Sequence, residues 1–202
     1  MKTVLFIDGC VRGRQSRTRI LADAFIRELS RIRADIRIET ADLNQLALQP
    51  LNEFTLRERE DASKNFDAPV FDAAKQFKEA DLLVIAAPFW EGTFPAALHT
   101  YMEHVCVTGL TFSVEETGYT GLCRAEKAVF ITTRGGIYES GPAVKDNHAP
   151  GFLSTVLTML GVPELYVEAA EGLDIEGCDV EEKMHQAEER LTALAGRLAK
   201  EI

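Results

Sequence analysis

The sequence is short of basic residues: 22 lysines and arginines face 32 aspartates and glutamates, a formal charge of −10 at pH 7. That balance argues against nucleic acid or an anionic membrane as partner and leaves small molecules or another protein. No apolar run approaches the length that spans a bilayer. The chain opens without a basic segment, apolar stretch and small-residue cleavage site, so a cytoplasmic setting is predicted. Cysteine is sparse. Cys10, Cys106, Cys123 and Cys178 form no C-x-x-C pair, which predicts reduced thiols in place of a zinc site or disulfide frame. His99, His104, His148 and His185 show no ligand spacing, so no metal is predicted. Gly9 and Gly13 do not make G-x-G-x-x-G and no G-K-[ST] follows, which excludes both the dinucleotide fingerprint and the P-loop.

What is present is a series of short apolar runs separated by polar loops, and 202 residues with 46% hydrophobic content suit one α/β domain over 1–202. Residues 82–87 are six consecutive small or branched apolar residues, the pattern of a central strand buried on both faces of a parallel sheet. Pro88 cannot donate a ladder hydrogen bond and Gly92 permits unusual backbone angles, so the chain is predicted to turn out over the sheet edge there. Phe89 and Trp90 fall in that turn. The crevice outside the carboxyl ends of central strands is where ligands bind in open α/β sheets, so the two rings either stack on a planar ligand or plug the top of the core.

Residues 3–7 form a second buried run, followed by a glycine-bearing loop and a helical stripe of Ile20, Leu21, Ala24, Phe25, Leu29 and Ile32. Ser16 stands at the N-cap, and with Thr18 it brings hydroxyls and free N–H groups to a helix N-terminus, an anion site by geometry and dipole. Arg12, Arg14, Arg17 and Arg19 make this a positive patch in an acidic chain, suited to a phosphate monoester; the alternative is a solvated basic loop paired with nearby acids.

Ile36, Ile38 and Thr40 alternate with charges as in an edge strand. Residues 42–68, polar and charge-rich, are predicted as a mobile flap or a solvated excursion, with a short helix the third possibility. Helices are predicted over 70–78, from Pro95 through Val105, over 150–160 and after the cap at Asp179; further strands are predicted over 128–133 and 165–169, and a small hairpin after Leu110. The helix from Pro95 either covers the sheet or packs on a second subunit. Paired Gly135 and Gly136 after Arg134 either let backbone N–H groups approach a ligand or serve a tight turn. Five strands alternating with five helices predict a three-layer α/β sandwich with a five-stranded parallel sheet of order 2-1-3-4-5, whose loops after strands one, three and four converge. The central strand ends without an aspartate, which argues against a phosphoacceptor receiver.

Four segments, in order, are similar to those of FMN-dependent NAD(P)H oxidoreductases of flavodoxin-like fold, the group of NADH azoreductases and quinone reductases: 84–88 followed by two aromatics, 94–98, 109–112 and 132–137. The resemblance implies that Cys10, Ser16, Arg17 and Thr18 hold the FMN phosphate and ribityl chain. It implies that Pro88, Phe89, Trp90, Glu91 and Gly92 line one side of the isoalloxazine, and that Thr133, Arg134, Gly135 and Gly136 reach its pyrimidine edge. It further implies a homodimer, and ping-pong transfer of hydride from NADH or NADPH through flavin to a small acceptor such as a quinone, azo or nitroaromatic compound, with Trp90 and Phe112 as acceptor-pocket walls and no catalytic side chain. The azoreductases usually carry Asn and then Phe after the aromatic pair, where this chain has Glu91 and Gly92. A carboxylate beside the flavin would lower its potential unless Glu91 contributes only its N–H. An acidic electron carrier of the same fold, or a flavin-free binding domain, are the alternatives.

Overall fold

The most apolar run, Leu82–Ala86, is a strand with every residue buried, and it lies in the middle of a five-stranded parallel sheet. The computed structural model describes residues 1–116 and 118–202. In chain order the strands are β1 (Lys2–Asp8), β2 (Ile36–Asp42), β3 (Leu82–Ala86), β4 (Phe112–Glu115), β5 (Gly118–Gly121), β6 (Lys127–Thr133) and β7 (Glu164–Ala170). The sheet runs β2-β1-β3-β6-β7, with β4 and β5 paired separately as an antiparallel hairpin. Numbered among the sheet strands alone, this is the 2-1-3-4-5 order expected. Thr117, at the predicted hairpin turn, lies outside the described residues.

The helices are α1 (Arg17–Ile32), α2 (Glu53–Ala62), α3 (Asp72–Glu79), α4 (Ala96–Val105), α5 (Ala149–Met159) and α6 (Val180–Leu198). Alternation along the strands divides the core into two layers. Val4, Phe6, Val84 and Ile131 meet Phe25 and Leu29 of α1 and Leu191 and Leu194 of α6. Leu5, Ile7, Leu83, Ile85 and Phe130 meet Phe77 of α3, Leu98 and Tyr101 of α4 and Leu153 and Leu157 of α5. Helices on both faces explain why β3 contains no polar residue. The caps are local: the Asp179 carboxylate accepts from the Glu182 N–H at 3.0 Å, and Ser16 caps α1.

Residues 42–68 differ from the predicted flap or excursion, because they contain α2. Asn52 opens it with a capping box: its side chain accepts from the N–H groups of Phe54 and Thr55, while the Thr55 hydroxyl accepts from the Asn52 N–H at 2.7 Å. No residue of α2 is buried, so no apolar stripe marks it. Arg59 holds it in place, donating to the carbonyls of Glu103 at 3.2 Å and Cys106 at 2.8 Å at the end of α4.

β1, β3 and β6 are in parallel register, Asp8 opposite Ala86 and Ala86 opposite Ile131, so their carboxyl ends open on one edge. The chain order reverses between β1 and β3, which places the crevice there.

Candidate functional site

At that edge lies a cleft of about 550 Å³ lined by residues from four loops. The first follows β1. Gly13 N–H donates to the Cys10 carbonyl at 2.8 Å and Ser16 N–H to the Gly13 carbonyl at 3.0 Å, two tight turns that deliver the chain to the α1 cap. The first turn of α1 has N–H groups without intrahelical acceptors, and Ser16, Arg17 and Arg12 line the cleft beside it. The Thr18 hydroxyl, fully buried, meets that of Thr133 at 2.7 Å and stitches α1 to the end of β6.

The second loop continues β3: Phe89 N–H donates to the Thr133 carbonyl at 3.1 Å. Trp90 and Thr93 then exchange both backbone hydrogen bonds around Glu91, at φ 53°, and Gly92, at φ 82°. Positive φ at both central residues is the two-residue hairpin turn that favours Asn-Gly. Glu91 therefore sits in a conformation costly for a residue with a long side chain. Glu91→Asn is expected to raise the unfolding free energy by about 0.5–1 kcal/mol, seen as a higher urea midpoint; an unchanged midpoint would show the turn to be unstrained.

The third and fourth loops follow β6 and β7 and are fastened by one carboxylate. Glu171 Oε1 accepts from Arg134 Nη1 at 2.6 Å and from the Tyr138 N–H at 2.9 Å, and Oε2 accepts from the Glu139 N–H at 3.3 Å. Burial, with Glu171 adjacent, pushes the Glu139 carboxyl up from its ordinary value. The Arg134 side chain is wholly buried, 5.6 Å over the Phe89 ring, and Phe89 packs on Tyr138 with ring centroids 4.3 Å apart. Arg134 Nε and Nη2 have no hydrogen-bond partner among the described residues.

A family model described as "Flavodoxin-like fold" matches residues 2–195. The chain belongs to the flavodoxin-like fold family. It is 38% identical over 183 residues to the FMN-dependent NADH:quinone oxidoreductase 2 of Clostridium acetobutylicum, covering 90% of this chain and 92% of that one. It is 34% identical over 202 residues to the FMN-dependent NADH:quinone oxidoreductase of Caldicellulosiruptor saccharolyticus, covering 98% and 100%. Among solved structures, the azoreductase of Bacillus anthracis superposes with a TM-score of 0.86 at 25% identity, covering 98% and 100%.

Of the residues expected at this flavodoxin-like site, Ser16, Arg17, Pro88, Phe89, Trp90, Thr133, Arg134 and Gly135 line the cleft. Cys10 does not. Its thiol is buried, donates to the Ala86 carbonyl at 3.7 Å and, through burial and the Asp8 carboxylate, is pushed up to about 12. Thr18 is sealed behind Thr133, Gly136 is committed to the Gly172 N–H at 2.8 Å, and Gly92 to the His148 N–H at 2.8 Å. Glu91 is exposed and is not among the residues that line the cleft.

Two expectations are corrected by the packing. Arg19 does not join the positive patch: it is paired with Asp8, buried at the end of β1, and with Asp23 at 2.7 Å, its guanidinium 4.9 Å over Phe6. Arg12 and Arg17 remain as the cleft cations. Phe112 does not stand near Trp90, because α4 carries the chain back across the sheet before β4 begins. The hairpin is tied to the opposite edge, Cys123 N–H to the Leu160 carbonyl and Arg124 N–H to the Lys78 carbonyl, and Phe112 packs on Tyr119. Gln15, Leu173 and Asp174 also line the cleft, and Tyr138 and Glu171 brace it from behind; for the residues after β7 the only signal in the sequence was that this loop too leaves a carboxyl strand end.

Proposed function

We propose that this chain is an FMN-dependent NADH:quinone oxidoreductase, passing hydride from NADH or NADPH through bound flavin to a small quinone, azo or nitroaromatic acceptor. The observation that carries the reading is a single cleft whose lining joins the start of α1, the Ser16 hydroxyl, Arg12 and Arg17, donors suited to a phosphate monoester, to Phe89 and Trp90, which offer aromatic surface to a fused ring. The guanidinium of Arg134 is covered behind that lining and braces it through Glu171. The names of the relatives support the same cofactor and donor.

FMN, when bound, would supply the redox chemistry that links nicotinamide to the acceptor. The residues of this chain then have binding and orienting roles. Ser16, Arg12 and Arg17 would anchor the phosphate, Thr133 and Gly135 would shape the wall beside β6, and Arg134, tied to Glu171, would hold that wall in place. Trp90, 40% exposed at the mouth, supplies an apolar face for donor and acceptor, which would use the cleft in turn and give ping-pong kinetics. The resemblance to dimeric flavin reductases supports a homodimer, and the matched span of 2–195 supports a single domain. Among the described residues no helix is long and apolar enough to cross a membrane; together with the acidic charge this is consistent with cytoplasmic work on soluble substrates.

The test is the absorbance spectrum of the purified protein during anaerobic NADH addition. Flavin bands that bleach with NADH and return on adding a quinone are the expected result. Bound flavin that NADH leaves oxidised would favour an acidic electron carrier, and failure to take up FMN on reconstitution would overturn the proposal.

A further inference from the structure

At the mouth of the cleft, Arg17 Nη1 lies 3.1 Å from Asp174 Oδ1, joining the start of α1 to the loop after β7. Both residues line the cleft together with Ser16 and Arg12. Asp174 is seated by its own backbone: its N–H donates to the Gly135 carbonyl at 3.1 Å, and the neighbouring Leu173 N–H donates to the Arg134 carbonyl at 3.1 Å. Its carboxylate rests against Gly135 so closely that a Cβ at 135 would stand 2.5 Å from Oδ2. The glycine thus makes room for an acid beside Arg17, one of the cleft cations.

A carboxylate and a phosphate monoester are the same kind of ligand for a guanidinium, each an anion with paired acceptor oxygens. Arg17 cannot give its full fork to one while held by the other. We propose that Asp174 is an internal counter-anion that competes with the FMN phosphate for Arg17 and so sets the affinity of the cofactor. This rests on the flavin reading above. Two terms act in the same direction when FMN binds: the Arg17–Asp174 pair is broken or shared, and a second negative charge enters near the carboxylate. The pair is solvent-exposed, so each term is modest and screened by salt. A flavin without the phosphate meets neither.

Flavin-stripped wild type and Asp174→Asn are to be titrated with FMN and with riboflavin, following quenching of flavin fluorescence at low and at high ionic strength. The expected result is FMN affinity about fivefold higher in Asp174→Asn at low salt, a smaller gap at high salt, and equal riboflavin affinity in the two proteins. Asp174→Ser is to be carried alongside, with the same expected pattern, as a check on the asparagine. Unchanged or weaker FMN binding in both variants overturns the inference and leaves the flavin reading standing, as does an equal gain for riboflavin, which would locate the effect in the loop. Failure of the wild type to bind either flavin removes the flavin reading and the inference with it.

Discussion

Replacing Glu171 by alanine is expected to lower the unfolding free energy by about 3–5 kcal/mol, the cost of breaking a buried ion pair by removing one partner. The reason is the company it keeps. Arg134 is completely covered, and Glu171, largely covered itself, is its closest anion at 2.6 Å; the carboxylate of Glu139 is at 3.5 Å and more than half exposed. Without Glu171 the guanidinium stays in the interior with a weak, screened partner, and the N–H groups of Tyr138 and Glu139 lose their acceptor as well. Urea unfolding measures the loss. Glu171→Gln should fall between the two proteins, because an amide oxygen still accepts from Tyr138 but brings no charge. FMN affinity should drop with it, since the loop that carries Gly135 and Tyr138 is no longer fastened. A Glu171→Ala protein within about 1 kcal/mol of wild type would mean that water or Glu139 compensates Arg134 far better than the geometry allows.

Gly121→Ala is expected to cost about 3 kcal/mol or more while sparing the cleft. A Cβ on Gly121 would overlap the backbone of Gly161, which turns the chain at the end of α5 with φ 92°. Neither backbone can retreat cheaply. Leu122 N–H donates to the Thr111 carbonyl at 2.9 Å and Cys123 N–H to the Leu160 carbonyl at 3.1 Å, one hydrogen bond on the hairpin side and one to α5. The β4–β5 hairpin must lift away to admit the methyl group. Because the hairpin is tied to the sheet edge opposite the cleft, the folded fraction should bind FMN as wild type does. A lowered denaturation midpoint with unchanged FMN affinity is the expected pair of readings; loss of FMN binding by fully folded protein would contradict the separation of the two edges.

The parts of this protein that could be read from the sequence are those whose physics is local. Residues 82–87 declare a central strand because a strand covered on both faces tolerates no polar residue, and Asp179 with Glu182 declares a helix start because both partners of the cap lie within one turn. Phe89, Trp90 and Gly135 stand just after apolar runs, and parallel strands bring such ends together, while Ser16 was legible as the cap at the start of the helical stripe. α2 was obscure because nothing in it is buried, its anchor being Arg59 on the end of α4, more than forty residues further along the chain. The capping pair Asn52 and Thr55 was the available sign. Arg19 looked like its neighbours until the fold buried Asp8 beneath it. Glu171 and Asp174 acquire their roles only when β7 lies against β6, and Phe112 loses its expected place when a ten-residue helix returns the chain across the sheet.

Trp90 is the sole tryptophan of the chain, and it stands half in solvent at the lip of the cleft. The indole emission of this protein therefore comes from one place, the place where ligands enter. Its wavelength reports how wet that lip is, and a yellow chromophore lodged beside it would drain the excited state by energy transfer. The molecule carries its own optical gauge of occupancy, readable without any label and silent about events elsewhere in the fold.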